Sequence, residues 1–247
     1  MSRHPAADAL LTLLLALLTP ALPATALEQG PAVDVALVVD GRTLALADGS
    51  TLRLAGLAAP PDAAREALEA LAAGGPWRLA FDGAARDRHG RLVAHAYAAD
   101  GRWVQGELLA RGLARVQTLP GRRALAAAML AVEGAAREAR HGLWAGRDFA
   151  ILDAHDGNWP RGGFVLVEGR VTEAATVAGR AFLNFGEDRT EDFTITIAPA
   201  DLKPYMAEGG QVEALAGRRL RVRGWLDWYN GPEIAVSHRE QIEVLDP

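Results

Sequence analysis

The stretch VVDGRTLALADGSTLRLAGLAAPP, residues 38–61, combines turn signals with strand-like alternation. Asp-Gly pairs at 40–41 and 48–49 are typical of tight turns between antiparallel strands. Leu52 and Leu54 alternate with polar neighbours, as in a strand with one buried face, and the two prolines at 60–61 end the pattern. The stretch therefore predicts strands on either side of two short turns.

The same kind of pattern extends in both directions and occurs twice along the chain. Three strands, a helical segment (residues 61–75) and two further strands (77–83 and 91–104) make up the first unit, which ends with helical stretches at 104–112 and 122–142. A shorter series of three strands, a helix and two strands follows from residue 164. This order is that of the five-stranded Greek-key barrel called the OB-fold. The predicted fold class is α+β, mainly β, with an OB barrel and its helices followed by a second OB-like barrel.

Residues 1–26 form a separate predicted segment. A short apolar run, ALLTLLLALL at 9–18, precedes small residues that suit cleavage after Ala26, which indicates an export signal and a periplasmic or secreted protein. We expect no membrane span after cleavage, because about 20 apolar residues are needed to cross a bilayer. The remaining predicted divisions are a first domain at 33–148, a linker at 149–163 and a second domain at 164–247.

Composition limits the classes of function. The net charge of −5 argues against a protein that coats polyanions indiscriminately, although a local arginine surface is compatible with a phosphate backbone. The sequence contains no cysteine, which excludes disulfides and a cysteine nucleophile. An apolar stripe at Leu125, Met129, Val132 and Ala136 is typical of helix packing and predicts core residues rather than a cofactor site.

Four segments together resemble the staphylococcal-nuclease-like (thermonuclease) family over residues 33–148. They are VVDGRTLAL against the family's V-x-D-G-D-T, TLRLAGLAAPP against R-L-x-G-I-D-T-P-E, DRHGRLVAHAY against D-x-Y-G-R-x-L-A-x-V, and ELLARGLARV followed by AREARHGLW. Four segments in the right order and spacing are a stronger signal than any single motif. The resemblance implies an OB barrel that, in the family, carries a calcium-dependent phosphodiesterase site.

The resemblance carries the family's catalytic arginines, but not its acids, to this chain. Arg53 and Arg91 occupy the two phosphate-binding arginine positions. Arg42, Ala58 and Pro61 stand where the family has two metal-binding aspartates and a general-base glutamate. Since calcium prefers several carboxylate oxygens, we expect no metal cofactor at this site. We instead expect Arg42, Arg53 and Arg91 to converge and to bind a phosphate or another anion.

Other residues could restore chemistry to the first unit. Asp40 remains in the turn, and Asp62 lies one place beyond the lost glutamate, where opening the following helix is its more ordinary use. His89, His95 and His141 could act as acids or bases, although a turn, a strand and a helix end explain them without catalysis. Asp153, His155 and Asp156 in the linker are potential metal ligands, but solvated loop residues are the simpler interpretation.

The second unit offers a separate candidate surface. GRRLRVRGWLDWYNGPEIAV resembles the fourth and fifth strands of OB-type nucleic-acid-binding domains, and GRAFLNFG resembles the second. Arginines at alternate positions share a strand face, and nearby rings could stack on bases; alternatively, the rings fill the core and the arginines pair with acids. The residues concerned are Arg219, Arg221, Arg223, Trp225, Trp228 and Tyr229, with Phe182 and Phe185 as further rings.

These observations favour an exported, thermonuclease-like protein that binds nucleic acid or another anionic ligand without cleaving it. Two alternatives stay open: a metal-dependent phosphodiesterase acting on DNA or RNA through a non-standard site, and an envelope module that binds a protein partner. The sequence predicts neither the ligand nor the oligomeric state.

Overall fold

The strands predicted around residues 38–61 form half of a strongly curled six-stranded sheet. The computed structural model describes residues 27–188 and 190–245, so the predicted export signal at 1–26 lies outside the described residues. The strands of the first unit are β1 (Glu28–Val33), β2 (Val35–Asp40), β3 (Thr43–Leu46), β4 (Thr51–Leu54), β5 (Leu57–Ala58), β6 (Trp77–Phe81), β7 (Leu92–Tyr97) and β8 (Arg115–Val116).

The main sheet of this unit has the strand order β1-β6-β7-β4-β3-β2. Only Asp34 separates β1 from β2, although the two strands lie at opposite ends of this order, so the sheet is strongly curled into a half-barrel. β4 and β7 pair in parallel and the other neighbours pair antiparallel. The predicted OB-type, mainly β fold is therefore confirmed.

β1 has no counterpart among the predicted strands. Its sequence includes Gly30 and Pro31, residue types that are depleted in strands. The pairing with β6 shifts register between Gln29 and Ala32, so a bulge accommodates these two residues. A Cβ at position 30 would lie 2.5 Å from the ring of Phe81, which explains why glycine is needed there.

Three helices cover the first barrel: α1 (Arg65–Ala72), α2 (Val104–Ala110) and α3 (Ala126–Glu138). The stripe on α3 is buried as predicted. Met129 and Leu125, just before the helix, lie in the core of the first barrel, and Val132 packs partly buried against it. Ala136 is buried in a smaller cluster with Trp144. The helix predicted over 61–75 is shorter in the structure. Its first residues form turns instead, and Gly75, with φ of 117°, follows its end.

The second unit repeats the topology. Its strands are β9 (Leu152–Asp153), β10 (Phe164–Arg170), β11 (Glu173–Val177), β12 (Arg180–Asn184), β13 (Thr194–Ile197), β14 (Arg219–Trp228), β15 (Pro232–Val236) and β16 (Ile242–Val244), with helix α4 (Pro199–Ala207) after β13. The order is β11-β12-β13-β15-β14-β10-β9, and β13 pairs with β15 in parallel as β4 does with β7. β9 shows that part of the predicted linker joins the second sheet.

The two barrels contact each other through buried polar groups. Arg223 of β14 is 1% exposed and Glu133 of α3 is 0% exposed. Arg223 Nη2 lies 2.9 Å from Glu133 Oε1, so this ion pair joins the barrels. Arg115 Nη2 also donates to the carbonyl of Phe164 at 2.7 Å across the same boundary. In the part of the chain that the structure describes, no helix is long and apolar enough to cross a membrane.

Candidate functional site

The turn between β2 and β3 lies directly against the loop that follows β5. A Cβ at Gly41 would lie 2.5 Å from the carbonyl oxygen of Pro60 and 3.1 Å from the Cβ of Ala59. Only glycine fits this approach, since real Cβ atoms do not come so close to backbone oxygen. The contact brings Asp40 and Arg42 beside the end of β5, which contains Ala58, and the loop that contains Pro61.

Arg42 is held in one orientation by three hydrogen bonds. Its backbone N–H donates to Asp40 Oδ1 at 2.9 Å, which closes the turn. Its Nη1 donates to the carbonyl of Leu57 at 2.8 Å and to Gln117 Oε1 at 2.9 Å. Burial lowers the pKa of Arg42, and the positive charge of Arg53 lowers it further. The guanidinium is therefore fixed next to another cation.

Arg53 is the least compensated charge of the site. It lies on β4, opposite Thr43 of β3 and Val93 of β7, and is half-buried. Within residues 27–188 and 190–245, its guanidinium makes no hydrogen bond or ion pair. Burial lowers the pKa of Arg53, and the charge of Arg91 adds to this effect. A half-buried guanidinium without a partner is poorly solvated and is therefore suited to bind an anion.

Arg91 is the third member of the arginine cluster, which consists of Arg42, Arg53 and Arg91. Asp87 Oδ2 lies 2.8 Å from its Nε and 2.7 Å from its Nη2. Burial alone would raise the pKa of Asp87, but hydrogen bonds from the Arg91 side chain and from the backbone N–H of His89 lower it to about 2. Arg91 thus carries its own counter-ion, whereas Arg53 does not.

The three arginines are near enough for their charges to act on one another. Arg91 and Arg53 both lower the pKa of Arg42, and Asp40 and Asp87 act on Arg53 in the opposite direction. Three guanidiniums therefore share two carboxylates, which leaves the cluster with a positive balance. Across the described parts of the chain, no group of three or more His, Asp or Glu side chains is arranged to hold a metal ion.

Asp62 does not face the cluster. Its Oδ1 lies 3.7 Å from Arg65 Nη2, with its side chain 90% exposed. Asp62 does not cap α1 with its side chain, because α1 starts after Ala64; the Asp62 carbonyl accepts the backbone N–H of Arg65 at 3.2 Å, in the turn that opens the helix. Arg65 instead donates to the carbonyls of Val38 and Val39 at 2.7 and 2.9 Å, so the start of α1 is tied to β2 by an arginine.

The three histidines of the first unit lie in three separate environments. His89 is exposed in the turn before β7 and accepts a hydrogen bond from Arg88 at 3.1 Å. His95 is 2% exposed against Trp103, and burial lowers its pKa to about 4. His141 lies beyond α3 and contacts the carbonyl of Ala110 at 3.0 Å. These environments agree with the structural explanations given for each histidine.

The acidic linker residues also have a structural explanation. Asp153 Oδ1 accepts the backbone N–H of His155 at 2.8 Å, so Asp153 closes a turn. Asp153, His155 and Asp156 are all exposed to solvent.

The arginines of β14 share one strand face, as predicted, but this face lies against carboxylates. Arg219 Nη2 is 3.0 Å and Arg221 Nη2 is 2.6 Å from Glu168, and Arg223 is buried against Glu133. Contact between Arg223 and a nucleic acid would require the barrels to separate, because only 1% of Arg223 is exposed. The role of these arginines in nucleic-acid binding stays a prediction.

The aromatic residues of the second unit divide into two groups. Trp225, Trp228 and Tyr229 are 58%, 51% and 76% exposed, so their rings are available for stacking. Phe185 is buried and packs against Phe193 at 5.1 Å between ring centroids, so it belongs to the core. Phe182 is partly buried on β12.

Gln117 and the carbonyl of Leu57 are site groups that the sequence analysis missed. Gln117 is 75 residues from Arg42 in sequence and follows β8, which pairs with β5. No local pattern identifies a lone glutamine after a two-residue strand. Its role becomes visible only from the pairing of these two distant segments.

Comparison with known proteins supports the resemblance over part of the chain. Residues 61–146 match the family model described as Staphylococcal nuclease homologue. The match covers α1 to α3 with β6, β7 and β8, and it includes Arg91 but not Arg42 or Arg53. The first barrel is therefore similar to staphylococcal nuclease over this segment. A search of curated proteins found no match for this chain.

Proposed function

We propose that the first barrel binds phosphate groups of nucleic acid through the arginine cluster, without a metal ion and without cleaving the nucleic acid. The observation that carries this proposal is the half-buried guanidinium of Arg53, which has no partner among the described residues. Arg42 and Arg91 flank it and add positive charge. A phosphate oxygen would supply the charge-assisted hydrogen bonds that Arg53 lacks.

The match to a nuclease family supports nucleic acid as the source of the phosphate. The matched segment contains Arg91 and the strand β7 that pairs with Arg53 on β4. The exposed rings of Trp225, Trp228 and Tyr229 offer a second surface on which bases could stack. The overall charge of −5 opposes indiscriminate binding, which favours a local phosphate site over a broad cationic face.

The residues around the cluster do not fit the calcium ion that the family resemblance implies. Calcium takes six to eight oxygen ligands, mostly carboxylates. Here Asp40 accepts the N–H of Arg42, and Asp87 is engaged by Arg91. The Arg42 guanidinium is fixed in the same turn by the Leu57 carbonyl, so it would repel a cation.

The general base is also missing from the position that the resemblance assigns to it. Pro61 has no group that can accept a proton, and the neighbouring Asp62 is directed to Arg65. Hydrolysis of a phosphodiester needs both a base to activate water and stabilisation of the added charge. This chain retains groups that can stabilise the added charge but not the base, which supports binding of the phosphodiester without hydrolysis.

The test compares two strand arginines of the first barrel. A labelled single-stranded oligothymidylate of about 12 nucleotides is titrated by fluorescence anisotropy in the presence of EDTA. We expect Arg53→Gln to weaken binding about ten-fold or more, because hydrogen bonds to charged groups are lost. Arg78→Gln removes an exposed arginine on β6 and serves as the matched control.

The salt dependence of the same titration gives a second measure. Removing one phosphate contact lowers the slope of log K against log salt by about 0.7 for a single strand. Arg53→Gln should show this change and Arg78→Gln should not. Equal affinities and equal slopes for the two variants would refute the role assigned to Arg53.

A further inference from the structure

The segment Val116–Thr118 lies between the two barrels and contacts both. Its first residue, Val116, pairs with Leu57 of β5. The backbone N–H of Val116 donates to Glu133 Oε2 at 2.5 Å, and its carbonyl accepts from Arg223 Nη1 at 3.2 Å. Arg223 belongs to β14, so the second barrel holds Val116 through a buried guanidinium.

Thr118 provides a second contact with the same barrel. Its Oγ1 lies 2.6 Å from Nε2 of His238, which follows β15. Thr118 is 6% exposed and His238 is 3% exposed, so water does not compete for this hydrogen bond. The two residues that flank Gln117 are therefore both fixed by the second barrel.

Gln117 faces the first barrel. Its backbone N–H donates to the carbonyl of Gly56 at 2.8 Å. Its Oε1 accepts from Arg42 Nη1 at 2.9 Å, next to the bond that Arg42 makes with Leu57. Gln117 is thus the side chain that connects the arginine cluster to a segment held by the second barrel.

We infer that Gln117 is a positioning residue, through which the second barrel sets the orientation of Arg42 for anion binding. This inference rests on the proposed function of the arginine cluster. An arginine side chain loses considerable rotamer freedom when it binds an anion, and prior hydrogen bonds reduce that cost. Docking of the second barrel fixes Val116 and Thr118, which fixes Gln117 and pre-orients the Arg42 guanidinium. By linkage, an anion on Arg42 also strengthens the contact between the barrels.

The experiment uses residues 27–247 and the same oligothymidylate in the presence of EDTA. Gln117→Ala removes the acceptor for Arg42 directly. Thr118→Val keeps the shape of the side chain but removes its bond to His238, so it acts only through the second barrel. Each should weaken binding about three- to ten-fold, which corresponds to the loss of one hydrogen bond. Gln211→Ala, at an exposed glutamine of the second barrel, is the matched control and should leave the affinity unchanged.

Coupling through Arg42 is separated from a general loss of structure by repeating both substitutions in an Arg42→Gln background. There, Gln117→Ala and Thr118→Val should have no further effect on affinity, because the group that they position is absent. Effects that persist undiminished in that background would overturn the inference. If Thr118→Val fails to fold, the comparison of Gln117→Ala in the unmodified and Arg42→Gln backgrounds still decides whether Gln117 positions Arg42.

The result also distinguishes this inference from the proposed function. If Arg53→Gln weakens binding while Gln117→Ala and Thr118→Val bind as the unmodified chain does, the arginine cluster binds anions but the positioning role is refuted. If the unmodified chain does not bind, or if Arg53→Gln has no effect, the proposed function fails and the positioning role fails with it.

Discussion

Replacing Arg223 should destabilise the protein more than replacing an exposed arginine that also forms an ion pair. Arg223 is 1% exposed and touches Glu133, which is 0% exposed, and Glu243. Burial alone would lower the pKa of Arg223, but these two carboxylates raise it, which indicates that the charged form is stabilised in place. Arg223→Met fills a similar volume and leaves a buried carboxylate without its main counter-ion.

The magnitude follows from the remaining contacts of Glu133. Removing one partner of a buried ion pair typically costs about 3–5 kcal/mol. Glu133 Oε1 retains Arg137 at 3.3 Å and Oε2 retains the Val116 N–H, so we expect a value near the lower end, about 3 kcal/mol. Adding Glu133→Gln should restore part of the loss, because the glutamine can still accept from Val116 and carries no unpaired charge.

The assay is urea unfolding followed by tryptophan fluorescence, with Arg102→Gln as the control. Arg102 also makes an ion pair, with Asp100 at 2.7 Å, but both side chains are largely exposed. Its replacement should therefore change the free energy of unfolding very little. If Arg223→Met and Arg102→Gln unfold at the same urea concentration, the Arg223 ion pair does not stabilise the barrel contact and the reasoning is refuted.

Three further predictions concern other parts of the chain. Gly41→Ala should destabilise the protein and weaken oligonucleotide binding, because the added Cβ would clash with the carbonyl of Pro60. The control is Gly134→Ala in α3, whose Cβ would meet no atom closer than 3.8 Å. It should be neutral or stabilising in the same urea assay. The pKa of Asp87, lowered to about 2, contributes stability that is present above the unfolded value of 3.8 and is lost as the pH falls through about 2. Asp87→Asn should therefore be less stable than the unmodified chain at neutral pH, and this difference should shrink as the pH falls through about 2; a difference that stays constant in an acid titration would contradict this. Mass spectrometry of the protein secreted by a bacterial host should find Leu27 as the first residue, and a retained residue 1 would contradict the predicted signal.

The sequence predicted the barrel strands well because their signals are local. Alternating apolar residues and Asp-Gly turns identify β3 and β4 from a short window, and short apolar runs identify β12 and β13. β1 was not predicted, because its Gly-Pro pair is accommodated only by a bulge in the pairing with β6. That tolerance depends on a strand distant in sequence, which no local pattern reveals.

The candidate site was predictable only in part, for a related reason. The resemblance assigned Arg53 and Arg91 to phosphate-binding positions and led to the expectation that Arg42 converges with them; the charges of Arg53 and Arg91 both lower the pKa of Arg42. Gln117 and the burial of Arg223 depend on how two separate barrels meet. An arginine that alternates along a strand looks the same in sequence whether it meets a phosphate, a carboxylate or water, so the contacts of β14 could not be inferred.

The central claim is that the arginine cluster binds phosphate without metal-dependent cleavage. Residues 27–247 are incubated with one end-labelled oligonucleotide, in EDTA and in calcium, and both the bound fraction and the products are recorded. We expect equal affinity in the two conditions and an intact oligonucleotide. Cleavage that requires calcium and is lost in Arg53→Gln would contradict it.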